Sequence, residues 1–416
     1  MQKILKNILS IAIIFSIVVG FTAAAENGFF ISTLFPTQHS KLQKWADEVI
    51  AVCKQKSYPP SCYDEEIPKV MDHGLTMEEG FEVTRLVQAQ NPNYFYCHVL
   101  GHHLSEKETA KDPSNWASVI ARCPIGMCSN GCLHGAFQER FRDDVMSDKQ
   151  IQALLPQISQ ICEKNTGRNF TGLEQASCYH ALGHLSMYIT GANLQISTNV
   201  CDKVAVKPDQ HENYTQTCYE GVYMQMFQPL EPEDFALVKK IAPKTTTQAE
   251  TLCDTFTGER QAACHRESWP LYKDSIKTAP GLKHFCDLVP DPKEIQRCFN
   301  AMFYVLTAQF NFDESRIVPL CEALPEKRKA QCFANAASRF IETDYRLIPR
   351  AVDLCKAAAA NGVGDRCYGE LLFYSTFNFH KGSTEFNQLC NALPEPWTSA
   401  CLNGDGANMQ PSKNDI

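Results

Sequence analysis

The chain has 416 residues, of which 44% are hydrophobic, 21% are charged and 20 are cysteine. The length suits two or three compact domains or one long repeat array, and the composition is that of a folded chain. A net charge of −8, without long runs of like charge, argues against a nucleic-acid-binding protein, which needs a basic face to displace counterions.

Lys3 and Lys6 open the chain, a largely apolar run extends from Ile8 to Phe21, and Ala23-Ala24-Ala25 precedes Glu26. These are the three parts of a secretory signal peptide, so residues 1–25 are expected to be cleaved after Ala25. Cleavage removes two lysines and takes the net charge from −8 to −10. No later apolar run is long enough to cross a bilayer, so no membrane span is expected in the mature chain. A secreted or periplasmic location places the cysteines where disulfides persist.

From there the cysteines set the rhythm. One series runs Cys62, Cys97, Cys132, Cys178, Cys218, Cys264, Cys298, Cys332, Cys367 and Cys401, with gaps of 34 to 46 residues. A period of this size belongs to a helix–turn–helix array. Most of these cysteines open an aromatic and apolar run, as in Cys298-Phe-Asn-Ala-Met-Phe-Tyr-Val-Leu, with apolar residues three and four apart. A second series, Cys53, Cys123, Cys162, Cys201, Cys253, Cys286, Cys321, Cys355 and Cys390, ends shorter amphipathic stretches. The expected unit is helix A, loop, helix B, with a disulfide joining the end of A to the start of B. Closing such a loop contributes roughly 3 kcal/mol by restricting the unfolded chain. Cys97 lacks an upstream partner and Cys128 is surplus, so elimination pairs them, and the exchange of Cys128 with Cys132 stays open. Cys123-x4-Cys128-x3-Cys132 also reads as a zinc–thiolate spacing.

The fold expected from this pattern is all-α, an αα-hairpin repeat superhelix (solenoid) of about ten disulfide-stapled units, right-handed. In this architecture the chain resembles the exported cysteine-rich Sel-type repeat proteins, relatives of the tetratricopeptide repeats, over Cys53 to Cys401. The resemblance implies a concave superhelical surface that binds a protein or peptide.

Six of the twelve histidines fall between residues 98 and 184. H-x-L-G-H occurs as His98–His102 and again as His180–His184, and His134 follows Cys132 by two. Spacing of i, i+4 places both imidazoles of a pair on one helix face, one turn apart. Two such pairs flanking a helix that carries His134 supply four or five nitrogen ligands, suited to zinc, copper or iron. The glycine before each second histidine allows a neighbouring backbone to approach closely. Counting from the cysteines aligns His134, His180 and Glu220 along one groove, and it aligns His103 rather than His102 with His184. Position one after the cysteine, held by Tyr63, Tyr179, Tyr219, His265, Phe299, Phe333 and Tyr368, reads as packing, and His98 could fill it. Glu106 and Glu139 lie further along the same helices as candidate outer partners or a general base.

H-E-x-x-H, G-x-S-x-G and P-loop signatures are missing. Asn169 and Asn213 stand in glycosylation sequons. Residues 26–230 therefore read as histidine-rich repeats carrying the site, 231–401 as regular scaffold repeats and 402–416 as a polar tail. The functional expectation is an exported metal-binding repeat protein with His98, His102, His134, His180 and His184 as ligands, metalloenzyme chemistry being one extension of it. The alternative is a non-enzymatic scaffold that holds a protein or peptide in its concave groove.

Overall fold

A computed structural model describes residues 38–409, apart from 125, 143–144, 164–168 and 206–213. The expected signal peptide and the sequon at Asn213 lie outside the described residues. Among those described, the chain is helical throughout and has no strand. No helix in this set is long and apolar enough to cross a membrane.

Ten disulfides consume all twenty cysteines. Nine join one helix to the next across 9 to 17 residues, the second cysteine usually standing one or two turns inside its helix rather than at its start. The tenth joins Cys97 to Cys128, which resolves the open pairing and excludes a thiolate zinc site at Cys123, Cys128 and Cys132. The chain is thus a cysteine-rich array of helical hairpins.

Two compact units divide it, Met1–Tyr94 and Phe95–Ile416. In the first, helix Gln38–Cys53 packs on helix Met77–Gln90. Thr76 and Glu79 form a reciprocal capping box that starts the latter helix. Tyr63 packs on Tyr94, whose hydroxyl donates to Asp64 at 2.7 Å.

In the second unit the B helices follow one another as a packed series. Helix His98–Thr109 packs on Gly131–Phe141, which packs on Gly172–Ile189, which packs on Thr215–Phe227, which packs on Gly258–Glu267. Pro292–Gln309, Glu326–Thr343 and Gly364–Asn378 continue it. Starts are well specified: Thr171 caps with Glu174, and Asp291 precedes Pro292 and accepts from the amides of Lys293 and Glu294. The position one after the cysteine is buried in every hairpin but the last, where Leu402 is exposed; Tyr179 and Phe333 are at 0%.

Contacts also join distant repeats. Phe95 meets Phe312 edge-on at 4.9 Å, and Gly172 lies against the Phe377 ring. Packing is therefore not confined to sequence neighbours, as a thin solenoid would have it. The division drawn near residue 230 falls inside this unit, and Gln138 donates to Glu231 across it at 2.7 Å.

Candidate metal centre

The five singled-out histidines come together. Three successive B helices bring them there, and two glycine contacts allow the close approach. Gly101 stands against the backbone of Gly131 and Cys132, so a Cβ there would lie 2.9 Å from the Cys132 nitrogen. Gly183 and Gly221 face each other where helices Gly172–Ile189 and Thr215–Phe227 cross, and a Cβ on Gly221 would collide with the His180 carbonyl. Both glycines before the second histidine of the motif thus do what the sequence suggested.

Each motif pair is in contact through the same atoms. His98 Nε2 and His102 Nε2 are 3.1 Å apart, and so are His180 Nε2 and His184 Nε2. His134 sits between the pairs, its ring 4.9 Å from His98, 5.3 Å from His102 and His184, and 5.8 Å from His180. Ligand atoms of His98, His102 and His134 all lie within 4.8 Å of one another, a grouping able to hold a metal ion. His98, His102 and His134 are buried, whereas His180 and His184 keep part of their surface.

The Nδ1 atoms of His98 and His184 face outward to acceptors. His98 Nδ1 donates to the Ser129 carbonyl at 3.2 Å, and His184 Nδ1 to Gln225 Oε1. The Thr217 backbone beside the His180 ring favours a proton there. His102 Nδ1 faces Glu231 Oε1 at 3.6 Å, and Glu231 is itself fixed by Gln138. A neutral imidazole carries one ring proton. Once that proton points outward, the Nε2 atoms that face each other carry only lone pairs. Proton sharing is also opposed by burial, which holds His98 and His134 well below the ordinary imidazole range, helped by their imidazole neighbours. The same desolvation, with His184 beside it, takes His180 down to about 3. A Lewis acid satisfies such lone pairs, and two nitrogens on a tetrahedral ion with bonds of about 2.0–2.1 Å are about 3.3 Å apart.

Several expected partners sit elsewhere. Glu220 does not join His134 and His180, because Arg266 on the next B helix binds it at 2.8 Å. The desolvated guanidinium of Arg266, which also holds Glu294 at 3.1 Å, demands that pairing. His103 is not the mate of His184: it lies to one side, 3.9 Å from Glu231. Glu106 and Glu139 both turn to Arg142, at 2.8 and 3.6 Å. Burial and the Glu231 carboxylate nevertheless push Glu106 up to about 8. His102, Glu106 and Glu231 form a second grouping of potential metal-binding atoms.

Sequence reasoning missed Gln138, Met224, Gln225 and Glu231. Gln138, Met224 and Gln225 line, with His98, His102, His134 and His184, an enclosed cavity with room for little more than a water molecule or an ion. A signal existed for two of them, since Gln138, His184 and Met224 each stand six residues after their cysteine. In the second hairpin the histidine motif, not the cysteine, keeps this register. Aligning His98 with His180 places Cys97 at the packing position of Tyr179, one place past the staple, and it bonds Cys128 instead.

The chain matches no protein-family model, no curated protein and no solved structure.

Proposed function

We propose that this is an exported metal-binding helical-repeat protein in which His98, His102, His134, His180 and His184 hold a transition metal. The observation that carries the reading is the pair of Nε2–Nε2 contacts at 3.1 Å, in each of which one imidazole, His98 or His184, turns its Nδ1 to an outside acceptor. Outer acceptors of this kind fix the tautomer and raise the basicity of histidine ligands. An imidazole-rich set suits zinc, copper or iron. The small cavity, walled by Phe137, Ala181, Leu185 and Tyr188, has room for one water-sized ligand beside an ion held between the imidazoles. Metalloenzyme chemistry is therefore part of this proposal. The full set of disulfides supports a secreted or periplasmic location, and a superhelical path for the hairpins belongs to the same reading.

The test is equilibrium dialysis of the oxidised mature protein against zinc(II), copper and iron(II), beside a His180→Ala/His184→Ala variant. Near-stoichiometric metal, reduced in the variant, supports the site. No uptake of any of the three leaves the peptide-binding scaffold as the better reading and makes partner capture the next step.

A further inference from the structure

We propose that the cluster divides into two metal positions: His98, His102 and His134 form one, and His180, His184 and the thioether of Met224 form a second that prefers copper(I). The inference rests on the metal reading above and adds a ligand, a stoichiometry and an ion to it.

Met224 Sδ lies 3.3 Å from His180 Nε2, the same nitrogen that meets His184 Nε2 at 3.1 Å. A thioether has no proton to give. His184 Nδ1 donates to Gln225, and the Thr217 backbone beside the His180 ring favours its proton on the side away from His184. His180 Nε2 is therefore shared between the His184 Nε2 lone pair and the Met224 sulfur lone pair, which brings all three donors to one nitrogen's reach. A methionine that merely fills space places its sulfur near a ring edge, about 5 Å from the aromatic ring, rather than on a ring nitrogen.

The partition follows from the helices. One pair belongs to helix His98–Thr109 and shares its compact group with His134. The other belongs to helix Gly172–Ile189 and faces Met224 and Gln225 from helix Thr215–Phe227. Gln225 is 4% exposed, and its Nε2 has no hydrogen-bond partner, although its Oε1 is committed to His184. Its amide is thus spent on orienting that imidazole. Two neutral imidazoles and a neutral, soft thioether match a soft monovalent cation, whereas the all-nitrogen position also suits zinc(II).

The experiment loads the oxidised mature protein with copper(I), counts copper by elemental analysis and records the copper K-edge X-ray absorption spectrum. Two coppers per chain and a sulfur scatterer beside nitrogen scatterers are expected. Met224→Leu should lose the sulfur shell and weaken the second equivalent of copper(I) at least about tenfold, with zinc(II) binding at the first position unchanged. His98→Asn should keep a sulfur-ligated copper. One copper per chain, or a wild-type spectrum with nitrogen scatterers alone, overturns the inference while leaving the metal site standing. No copper and no zinc uptake overturns both. The wild-type spectrum decides even if Met224→Leu fails to fold.

Discussion

Ser129 accepts a hydrogen bond from His98 Nδ1 on its carbonyl at 3.2 Å, and it does so from a left-handed backbone conformation. Cys128, Ser129 and Asn130 have φ of 52°, 46° and 59° in succession, a run that non-glycine residues rarely adopt. The bridge from Cys128 to Cys97, the residue before His98, holds this turn against the start of the ligand helix. A Cys97→Ser/Cys128→Ser variant should retain its helical circular dichroism, because nine staples remain, yet bind zinc(II) about 10–100-fold more weakly, as lost outer support does elsewhere. Unchanged zinc affinity would show that the turn plays no part in orienting His98.

Gln225 offers a conservative comparison. Gln225→Leu removes the acceptor for His184 Nδ1 and should lower metal affinity about 10–100-fold. Gln225→Glu keeps an acceptor and should bind at least as tightly as the wild type. Isothermal titration of both variants with zinc(II) checks this, and equal losses in the two would mean that packing, not the hydrogen bond, is at stake.

For the metal-free protein, acidity should expose His180. Its folded pKa, lowered to about 3 by burial and by His184, lies below an unfolded value of about 6.5. Between those values the unfolded chain holds the extra proton, so stability is full above about pH 6.5 and falls as pH drops toward 3. One such group contributes a slope of about 1.4 kcal/mol per pH unit. Urea unfolding of chelated wild type and His180→Asn at several pH values should give slopes that differ by about one proton in this window. Glu106 and Glu267, both raised to about 8 by burial, act with the opposite sign between about pH 4.5 and 8, but they are common to both proteins and cancel. Parallel curves would contradict a His180 held neutral in the folded protein.

Gly221→Ala places a methyl group against the His180 carbonyl at the helix crossing. Relief requires the helices to separate, at a cost of about 1–3 kcal/mol for overpacking. The expected outcome is a lower urea midpoint together with weaker metal uptake, since His180 and Met224 come from the two helices forced apart. A variant with wild-type midpoint and uptake would contradict the close crossing.

How much of this was legible depends on the range of each interaction. The staples are local, so cysteine spacing alone predicted eight of them, whereas Cys97, Cys123, Cys128 and Cys132 stayed open to two pairings that only the structure separates. The i, i+4 histidine pairs are local too, and helical periodicity sufficed to place each pair on one face. Met224 was passed over because a methionine at a helix position ordinarily packs. Glu231 reaches Gln138 from 93 residues away, and no local pattern announces that contact. Glu220 failed for a related reason: register aligned it with the imidazoles, but Arg266 on the following helix claims its carboxylate. The contacts of Phe95 with Phe312 and of Gly172 with Phe377 likewise depend on the path of the array, which a repeat period does not encode.

The central claim is that the Nε2 lone pairs of the five imidazoles converge on metal. Long-range proton–nitrogen NMR of selectively nitrogen-15-labelled histidine, recorded as zinc(II) is added, reads each ring nitrogen directly. Nε2 of His98, His102, His134, His180 and His184 should move to the shift of a metal-bound nitrogen, while Nδ1 of His98 and His184 stays protonated. Movement confined to other histidines, or Nε2 protons persisting on the five at saturating zinc, would contradict it.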